Sequence, residues 1–543
     1  MAAFGHSGAV HTKAGTGSTE DRGDAVKDLV YQRSLLPAVE RFGDKTATID
    51  VSFSATFDEH LDRVLRLGSA IRKTLGVEAQ DRYAVMALNS HHYLELYHAG
   101  FLGAGVVNPL NLRLAPKELE FILGDSETKV CFVDATFAPL IDRVRNEAKI
   151  EHVVLIGEGD VPHDFSMDEL ITSGDATFLE EPEETDPVIL MYTGGTTGLP
   201  KGVLVEHRAA MLDMYKIGSR FPFDDDYVYL HQTPMFHAAS FGGVLTIPAV
   251  GGTTTFVPTF DAGRVLEVCE RLHVSSTVMV PTMVQMLLDH PEFRPERLAS
   301  MRVLTYGASP MPTALLERLL AALPDLGVYQ GYGMTENCGL FTVLGPEEHR
   351  QGGDLLKSAG RPVTGSVVSI QGPDGTVLDP GEVGEVCARG GNTMREYWRR
   401  PEETARALAG DWLHTGDAGR LDDRGYLYLV DRVKDMIITG GENVYSAEVE
   451  NALVSHPAVA QVAVIGIPSE AWGEAVHAVV VVAPGATPTD DELKAWCRDR
   501  IAGYKVPKSF DYRRDPLPLS GAMKVLKKDL RAPFWEGRER AVQ

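Results

Sequence analysis

The sequence predicts an α/β protein with two unequal parts. A large N-terminal domain has mainly parallel sheets flanked by helices, plus a β-meander, and a small α/β domain follows it. Three observations carry this. The chain has 543 residues, too many for one hydrophobic core. Short apolar runs alternate with helical patterns from Arg82 to Ala322, which implies a sheet covered on both faces. Between residues 360 and 430 the pattern changes to short strands separated by Gly, Pro and Asp turns, and a second α/β pattern begins after Asp431-Arg432-Val433-Lys434-Asp435. The domains are therefore read as a tail over 1–24, a large domain over 25–430, a connector over 431–435 and a small domain over 436–543.

The elements follow in order. Residues 1–24 are rich in Gly, Ala, Ser, Thr and His and read as a tail, with structure starting near Leu29. Tyr83 to Leu88 reads as a buried strand, and Asn89-Ser90 caps a helix expected to run through Leu102. Val106-Val107 and Val130 to Val133 are strands around a helix from Pro116 to Leu123, with Pro in its first turn. Thr277 to Val280 and Arg302 to Tyr306 are strands, each followed by a helix: Pro281 to Leu288 and Thr313 to Ala322. Val367 to Ile370, Val383 to Ala388 and Leu427 to Val430 form the meander. In the small domain, helices cover Ala447 to Leu453 and Thr489 to Ile501, and strands cover Val462 to Ile465 and Val476 to Val482. No internal repeat of fixed period is present.

Composition narrows the function classes. The chain is 44% hydrophobic and 24% charged, as ordinary soluble domains are. A net charge of −24 argues against nucleic acid or an anionic membrane surface as a general partner. The last segment is the exception: from Arg498 onward there are 12 Lys and Arg against 6 Asp and Glu. Five scattered cysteines without a CxxC pair argue against a zinc framework or disulfides and favour a reducing compartment, the cytoplasm. No secretion signal is seen, nor a run of roughly 18 apolar residues that would span a membrane. A homodimer is an open alternative for the assembly.

The densest chemistry lies at Met191-Tyr192-Thr193-Gly194-Gly195-Thr196-Thr197-Gly198-Leu199-Pro200-Lys201-Gly202. A strand from Val188 to Tyr192 leads in, and Val203-Leu204-Val205 leads out as a second strand. Glycines permit sharp turns and close approach to a ligand, and successive N–H groups form anion-binding nests. Hydroxyls and Lys201 complete a loop suited to a polyphosphate. It is not a Walker A loop, since no Gly-Lys-Ser/Thr opens a helix. A polar hairpin turn is the plain alternative.

Three further stations lie downstream. Gly307-Ala308-Ser309 follows the strand ending at Tyr306, at the carboxyl end where ligands of such sheets bind. Tyr329-Gln330-Gly331-Tyr332-Gly333-Met334-Thr335-Glu336 offers a ring to stack on a purine, a hydroxyl, and a carboxylate suited to Mg²⁺. Thr415-Gly416-Asp417, at the edge of the meander, supplies a carboxylate for ribose hydroxyls. Alone, the second also reads as an ordinary Gly-rich turn and the third as a plain Asp turn. The basic segment contains Pro518-Leu519-Ser520-Gly521-Ala522-Met523-Lys524-Val525-Leu526-Lys527-Lys528.

Thr193–Gly202, Tyr332–Glu336, Thr415–Asp417, Asp431–Asp435 and Lys524, in this order and spacing, resemble the adenylate-forming superfamily of acyl-CoA synthetases, peptide-synthetase adenylation domains and luciferases. The resemblance covers roughly residues 30 to 532 and is closest to the acyl-CoA synthetases. It implies that Thr193, Gly194, Gly195, Thr196, Thr197, Gly198 and Lys201 hold the ATP phosphates. It implies an adenine pocket of Gly307, Ala308 and Ser309 with Tyr329 to Tyr332, Tyr332 stacking on the base, and Gly331, Gly333 and Met334 among the ATP contacts. Thr335 then contacts the α-phosphate, Glu336 holds Mg²⁺, and Asp417 and Arg432 contact the ribose. Lys524 bridges the substrate carboxylate and the α-phosphate. His237, in Pro234-Met235-Phe236-His237, resembles the gate between the acyl pocket and the ATP site; a packed core histidine is the plain alternative. Asp431 matches the hinge of a mobile C-terminal domain, and Gly440-Gly441 face the tunnel for the pantetheine arm of coenzyme A. One position departs from the family: Met523 stands where a glycine usually precedes the lysine.

The implied reaction is an acid–thiol ligation. The carboxylate attacks the α-phosphorus of ATP, giving an acyl-adenylate and pyrophosphate, and coenzyme A then displaces AMP. The pocket segments, His237 to Gly243, Tyr306 to Ala308 and Gly331 to Phe341, are mostly small or apolar and carry no basic residue. They predict an apolar monocarboxylic acid, aliphatic or ring-containing. Without an inserted segment to impede domain rotation, coenzyme A is favoured as acceptor over a carrier protein. Transfer to an amine, oxidation of the adenylate and nucleotide sensing stay open as alternatives.

Overall fold

The computed structural model describes residues 27–193, 200–309, 311–432, 435–439, 442–469, 471–521 and 523–536. Its fold is the expected α/β arrangement. One eight-stranded sheet runs in the order 396–397, 201–206, 187–193, 106–109, 82–86, 130–134, 152–156, 165–166. A nine-stranded sheet runs 361–362, 342–344, 327–332, 303–307, 276–279, 228–231, 253–256, 46–49, 54–56. The central strands of both are parallel. Most residues of these central strands are buried, as a sheet covered on both faces requires.

Local signals fix the helices. Phe57–Lys73 starts with a capping box in which Thr56 accepts from the Glu59 N–H and Glu59 from the Thr56 N–H. Pro116 and Pro281 open their helices. Ser90 caps His91–Ala99 by accepting from Tyr93 N–H at 3.3 Å. This helix stops at Ala99, not at Leu102 as expected. A π-turn over Gly100–Ala104 follows, in which Leu102 leaves the helical region and Gly103 takes φ 98°. A Cβ on Gly100 would collide with Val107 and Tyr83, so the chain turns where it meets the next strand. Asn89 is not a cap either; it bridges other elements.

The meander is a four-stranded antiparallel sheet, 366–371, 384–390, 413–421 and 427–432. Its last strand continues to Arg432, so the backbone of Asp431 and Arg432 belongs to this sheet, paired with Ala418 and Asp417. The C-terminal part is a five-stranded sheet with Gly473–Val482 at its centre, packed on helices Ser446–Val454 and Asp490–Arg498. Thr489 caps the second helix, which ends at Arg498 rather than Ile501. Among the described residues no helix is long and apolar enough to cross a membrane.

Candidate active site

The hairpin predicted to carry the phosphates is present. Strands Pro187–Thr193 and Lys201–Glu206 pair antiparallel, with Thr193 opposite Lys201 and Tyr192 opposite Gly202. Gly194, Gly195, Thr196, Thr197 and Gly198 lie outside the described residues. Lys201 begins the second strand, and its ammonium stands 5.1 Å from the ring centroid of Tyr397. The base of the hairpin is anchored from outside. Tyr192 donates to the Asp125 carboxylate at 2.7 Å, Trp398 Nε1 donates to the Asp125 carbonyl at 2.9 Å, and Trp398 N–H donates to the Gly202 carbonyl at 2.7 Å.

Gly307 and Gly331 sit side by side at the carboxyl ends of parallel strands Val303–Gly307 and Gly327–Tyr332. Any Cβ on Gly307 would collide with the Gly331 carbonyl oxygen. Ala308 then takes φ 66°, a left-handed conformation that L-residues adopt only where the surroundings enforce it. Ser309 follows it in the same loop. Tyr306, expected to line the acyl pocket, is buried with its hydroxyl 3.1 Å from both Gln330 and His349. Its side chain is occupied in the core, so it is the backbone from Gly307 that borders the strand ends.

After Tyr332 and Gly333, Met334 N–H donates to Asn337 Oδ1 at 2.8 Å and starts the short 3₁₀ turn Thr335–Asn337. This turn places Glu336, 7% exposed, where Oε1 accepts the Tyr397 hydroxyl at 2.7 Å. Among the described residues that is its one side-chain donor, which leaves Oε2 as a hard oxygen. A buried carboxylate with one oxygen anchored and the other available fits a Mg²⁺ ligand.

Tyr332 meets Asp417 directly: the phenol donates to Asp417 Oδ2 at 2.6 Å. The ring stands edge-on to Phe341, centroids 4.6 Å apart. Asp417 lies in an inner strand of the meander, not at its edge, because Leu413–Leu421 pairs on both sides. Gly416, at φ 70°, makes the kink, and Thr415 holds it by donating to the Val386 carbonyl at 2.7 Å and accepting from the Asp417 N–H at 3.1 Å. Arg432 is the backbone partner of Asp417; the side chains of Asp431 and Arg432 lie outside what is described, as do Gly440 and Gly441 altogether.

His237 and Lys524 approach each other across the two parts of the chain. Burial, and second the positive charge of Lys524, push the His237 imidazole down to about 3. Its Nδ1 accepts the Ala239 N–H at 3.2 Å, so the neutral ring carries its proton on Nε2. The lysine loop is closed by paired backbone bonds: Ser520 N–H to the Lys524 carbonyl at 2.7 Å and Met523 N–H to the Ser520 carbonyl at 2.9 Å. Two side chains of the large part hold it, Arg113 donating to the Leu519 carbonyl at 2.8 Å and Thr282 to the Met523 carbonyl at 3.2 Å. Met523 takes φ 60°, the conformation that glycine adopts without strain, and its side chain packs against the core of the nine-stranded sheet.

Three supports were invisible in the sequence. Tyr397 is one. Asn89 is another: it donates to the Thr233 and Val257 carbonyls at 3.1 and 3.2 Å and accepts from Met235 N–H at 2.8 Å, fixing the segment that leads to His237. The third is a buried group behind Glu336. Asn392 donates to the Asn337 carbonyl at 2.7 Å and to Asp213 at 3.3 Å, and Asp213 accepts from Leu340 N–H at 3.0 Å. Burial raises the Asp213 carboxyl to about 7, with the nearby Lys216 opposing the rise. None of these contacts has a local sequence signature.

Comparison with known proteins gives the family. The AMP-binding enzyme family matches residues 36–398, and the AMP-binding enzyme C-terminal domain matches residues 448–524. A feruloyl-CoA synthase of an Amycolatopsis species is 39% identical over 482 residues, covering 88% of this chain and 94% of that protein. A long-chain-fatty-acid–CoA ligase of Mycobacterium tuberculosis is 36% identical over 469 residues, covering 85% and 89%. The crystal structure of an anthranilate CoA ligase in complex with anthranoyl-AMP superposes with a TM-score of 0.85 at 27% identity, covering 93% of this chain and 96% of that one. The chain therefore belongs to the adenylate-forming, AMP-binding enzyme family near the acyl-CoA synthetases, and is an AMP-forming acid–thiol ligase that uses ATP, Mg²⁺ and coenzyme A.

Proposed function

We propose that this enzyme joins an apolar monocarboxylic acid, with an alkyl chain or an aromatic ring, to coenzyme A, and that the residues above divide the work. What supports this reading is three sets of contacts between separate stretches of chain: Tyr397 with Glu336 and Lys201, Tyr332 with Asp417, and the charge of Lys524 acting on His237. Two anions must meet in the first step, so catalysis is chiefly positioning and charge neutralisation.

The hairpin and Lys201 hold the β- and γ-phosphates, Thr335 contacts the α-phosphate, and Asp417 with Arg432 holds the ribose. The backbone of Gly307-Ala308-Ser309 and the ring of Tyr332, with Gly331, Gly333 and Met334, border the adenine. Mg²⁺, when bound at Glu336, supplies positive charge against the phosphate oxygens. A carboxylate oxygen of the acid attacks the α-phosphorus while the bond to the β-phosphate oxygen breaks and pyrophosphate leaves. Lys524 neutralises the carboxylate and α-phosphate oxygens during that step. Neutral His237 walls the acid from the nucleotide. The small domain, residues 436–543, then turns about Asp431 within a 431–435 hinge, withdrawing Lys524 and bringing Gly440-Gly441 to the pantetheine arm. The thiol of coenzyme A loses its proton to solvent, the resulting thiolate attacks the acyl carbonyl, and the bond to AMP breaks as AMP leaves.

The substrate class is supported by the small, uncharged residues after His237: Ala238, Ala239, Gly242 and Gly243. Relatives named for ferulate and for long-chain fatty acids lie at similar identity, 39% and 36%, so both arms of the class are retained. A panel of aryl acids, fatty acids, dicarboxylates and amino acids, scored by ATP-dependent pyrophosphate release and then by thioester formed with coenzyme A, tests the reading. Preference for dicarboxylates or amino acids would overturn the substrate class. Pyrophosphate release with no consumption of coenzyme A, and amide formed from an added amine, would overturn the acceptor.

A further inference from the structure

Glu385, Cys387 and His414 lie together on the meander, outside the groups used above. Glu385 and Cys387 are two residues apart on strand Gly384–Gly390, hence on the same face. His414 is the direct cross-strand partner of Cys387. His414 Nδ1 stands 2.9 Å from Glu385 Oε2 and 3.5 Å from Cys387 Sγ, and the three donor atoms all lie within 4.8 Å of one another. Among the described residues this is the one group of three such ligands. A tetrahedral zinc ion with bonds of about 2.0–2.3 Å holds its ligand atoms roughly 3.3–3.7 Å apart, which small rotamer adjustments achieve here.

We propose that Glu385, Cys387 and His414 form a Zn²⁺ site that clamps the turn carrying Asp417. A thiolate, an imidazole and a carboxylate form a donor set that suits zinc and not the hard Mg²⁺ of the ATP reaction. Cys387 is fully buried, whereas the side chains of His414 and Glu385 are 25% and 32% exposed. Entry is therefore from solvent, and a water completes the fourth position. On binding, Cys387 Sγ–H releases its proton to solvent, and His414 ligates through Nδ1 with its remaining proton on Nε2. Glu385 ligates through Oε2 and keeps Oε1 on the Gly416 N–H, now 3.0 Å away. The ion thereby ties strand Gly384–Gly390 to the Thr415-Gly416-Asp417 kink. The clamping part rests on the ribose role proposed for Asp417; the site itself does not.

The test uses tag-free full-length protein, stripped by chelator and titrated with Co²⁺. One Co²⁺ per chain should bind and give a thiolate-to-cobalt charge-transfer band in the near ultraviolet, which one equivalent of Zn²⁺ removes. Cys387→Ser and His414→Ala should each lose the band, while Cys131→Ser, altered in a different sheet, keeps it. If Cys387→Ser fails to fold, His414→Gln gives the same reading with the thiol retained. Absence of a stoichiometric band, or its survival in the His414 and Cys387 variants, overturns the site. With the site loaded, KM for ATP should change several-fold between the Zn²⁺ and stripped forms at fixed Mg²⁺. An intact cobalt band with an unchanged KM overturns the clamp alone.

Discussion

The Tyr397 hydroxyl donates to the Glu336 carboxylate at 2.7 Å, and the same ring faces the Lys201 ammonium at 5.1 Å. One aromatic residue thus links the proposed metal carboxylate to the lysine of the phosphate hairpin. Removing the hydroxyl leaves a buried carboxylate without its anchor. A hydrogen bond to a charged group is worth about 1.5–3 kcal/mol. Tyr397→Phe should therefore lower adenylation by about 10-fold or more and raise the Mg²⁺ concentration needed for half-maximal pyrophosphate release. Glu336→Gln should be harsher, by about 10²–10³. An unchanged Mg²⁺ dependence in Tyr397→Phe would refute the linkage.

Asp417 receives the Tyr332 phenol at 2.6 Å. This orients the carboxylate that is proposed to grip the ribose. Asp417→Ala should raise KM for ATP by about 10-fold or more, as loss of hydrogen bonds to a charged group does, with a smaller change in kcat. It should also lose the discrimination between ATP and 2′-deoxy-ATP. If the variant still prefers ATP by the wild-type margin, the ribose is held elsewhere.

How far the chain could be read in advance follows from where each signal resides. The hairpin strands around Thr193 and Lys201, the strand ending at Gly307 and the Thr335-Glu336 turn announce themselves by local composition, because glycine, threonine and apolar runs act on neighbouring residues. Tyr397, Asn89 and the Asp213–Asn392 pair act across the fold, and a lone Tyr or Asn in a sequence carries no mark of its distant partner. The helix end at Ala99 has a cause of the same kind: a Cβ on Gly100 would meet Tyr83 and Val107 of neighbouring strands. Lys524 was legible only through resemblance, since a lysine in a basic segment otherwise reads as solvated surface.

Acid should destabilise the enzyme. Burial holds His98 at about 4 and His207, His231 and His237 at about 3, against an ordinary value of about 6.5. In that window the unfolded chain binds more protons at these sites, so their contribution falls as pH falls below about 6.5. Asp213, raised to about 7, and Asp134, raised to about 6, act in the opposite sense: they cost stability as pH rises through the window. The four histidines outnumber them. Thermal midpoints should therefore drop between pH 7 and pH 5, and a flat or rising profile would contradict the neutral, buried state of the histidines.

Met523 at φ 60° explains how a non-glycine residue precedes Lys524: packing against the large domain and the Thr282 bond hold a conformation that costs roughly 1–2 kcal/mol. Met523→Gly should keep adenylation within a few-fold. Met523→Val, β-branched where φ is positive, should lower it by about 10-fold. Equal rates in both variants would show that this backbone conformation does not govern how the lysine docks.

The central claim is that Lys524 serves the first half-reaction and not the second. The direct measurement compares Lys524→Ala with the wild type in two assays: acid-dependent pyrophosphate release from ATP, and thioester formation from supplied acyl-adenylate and coenzyme A. Adenylation should fall by about 10²–10³ while thioester formation stays near the wild-type rate. Near-normal pyrophosphate release, or an equal loss in both assays, would contradict it.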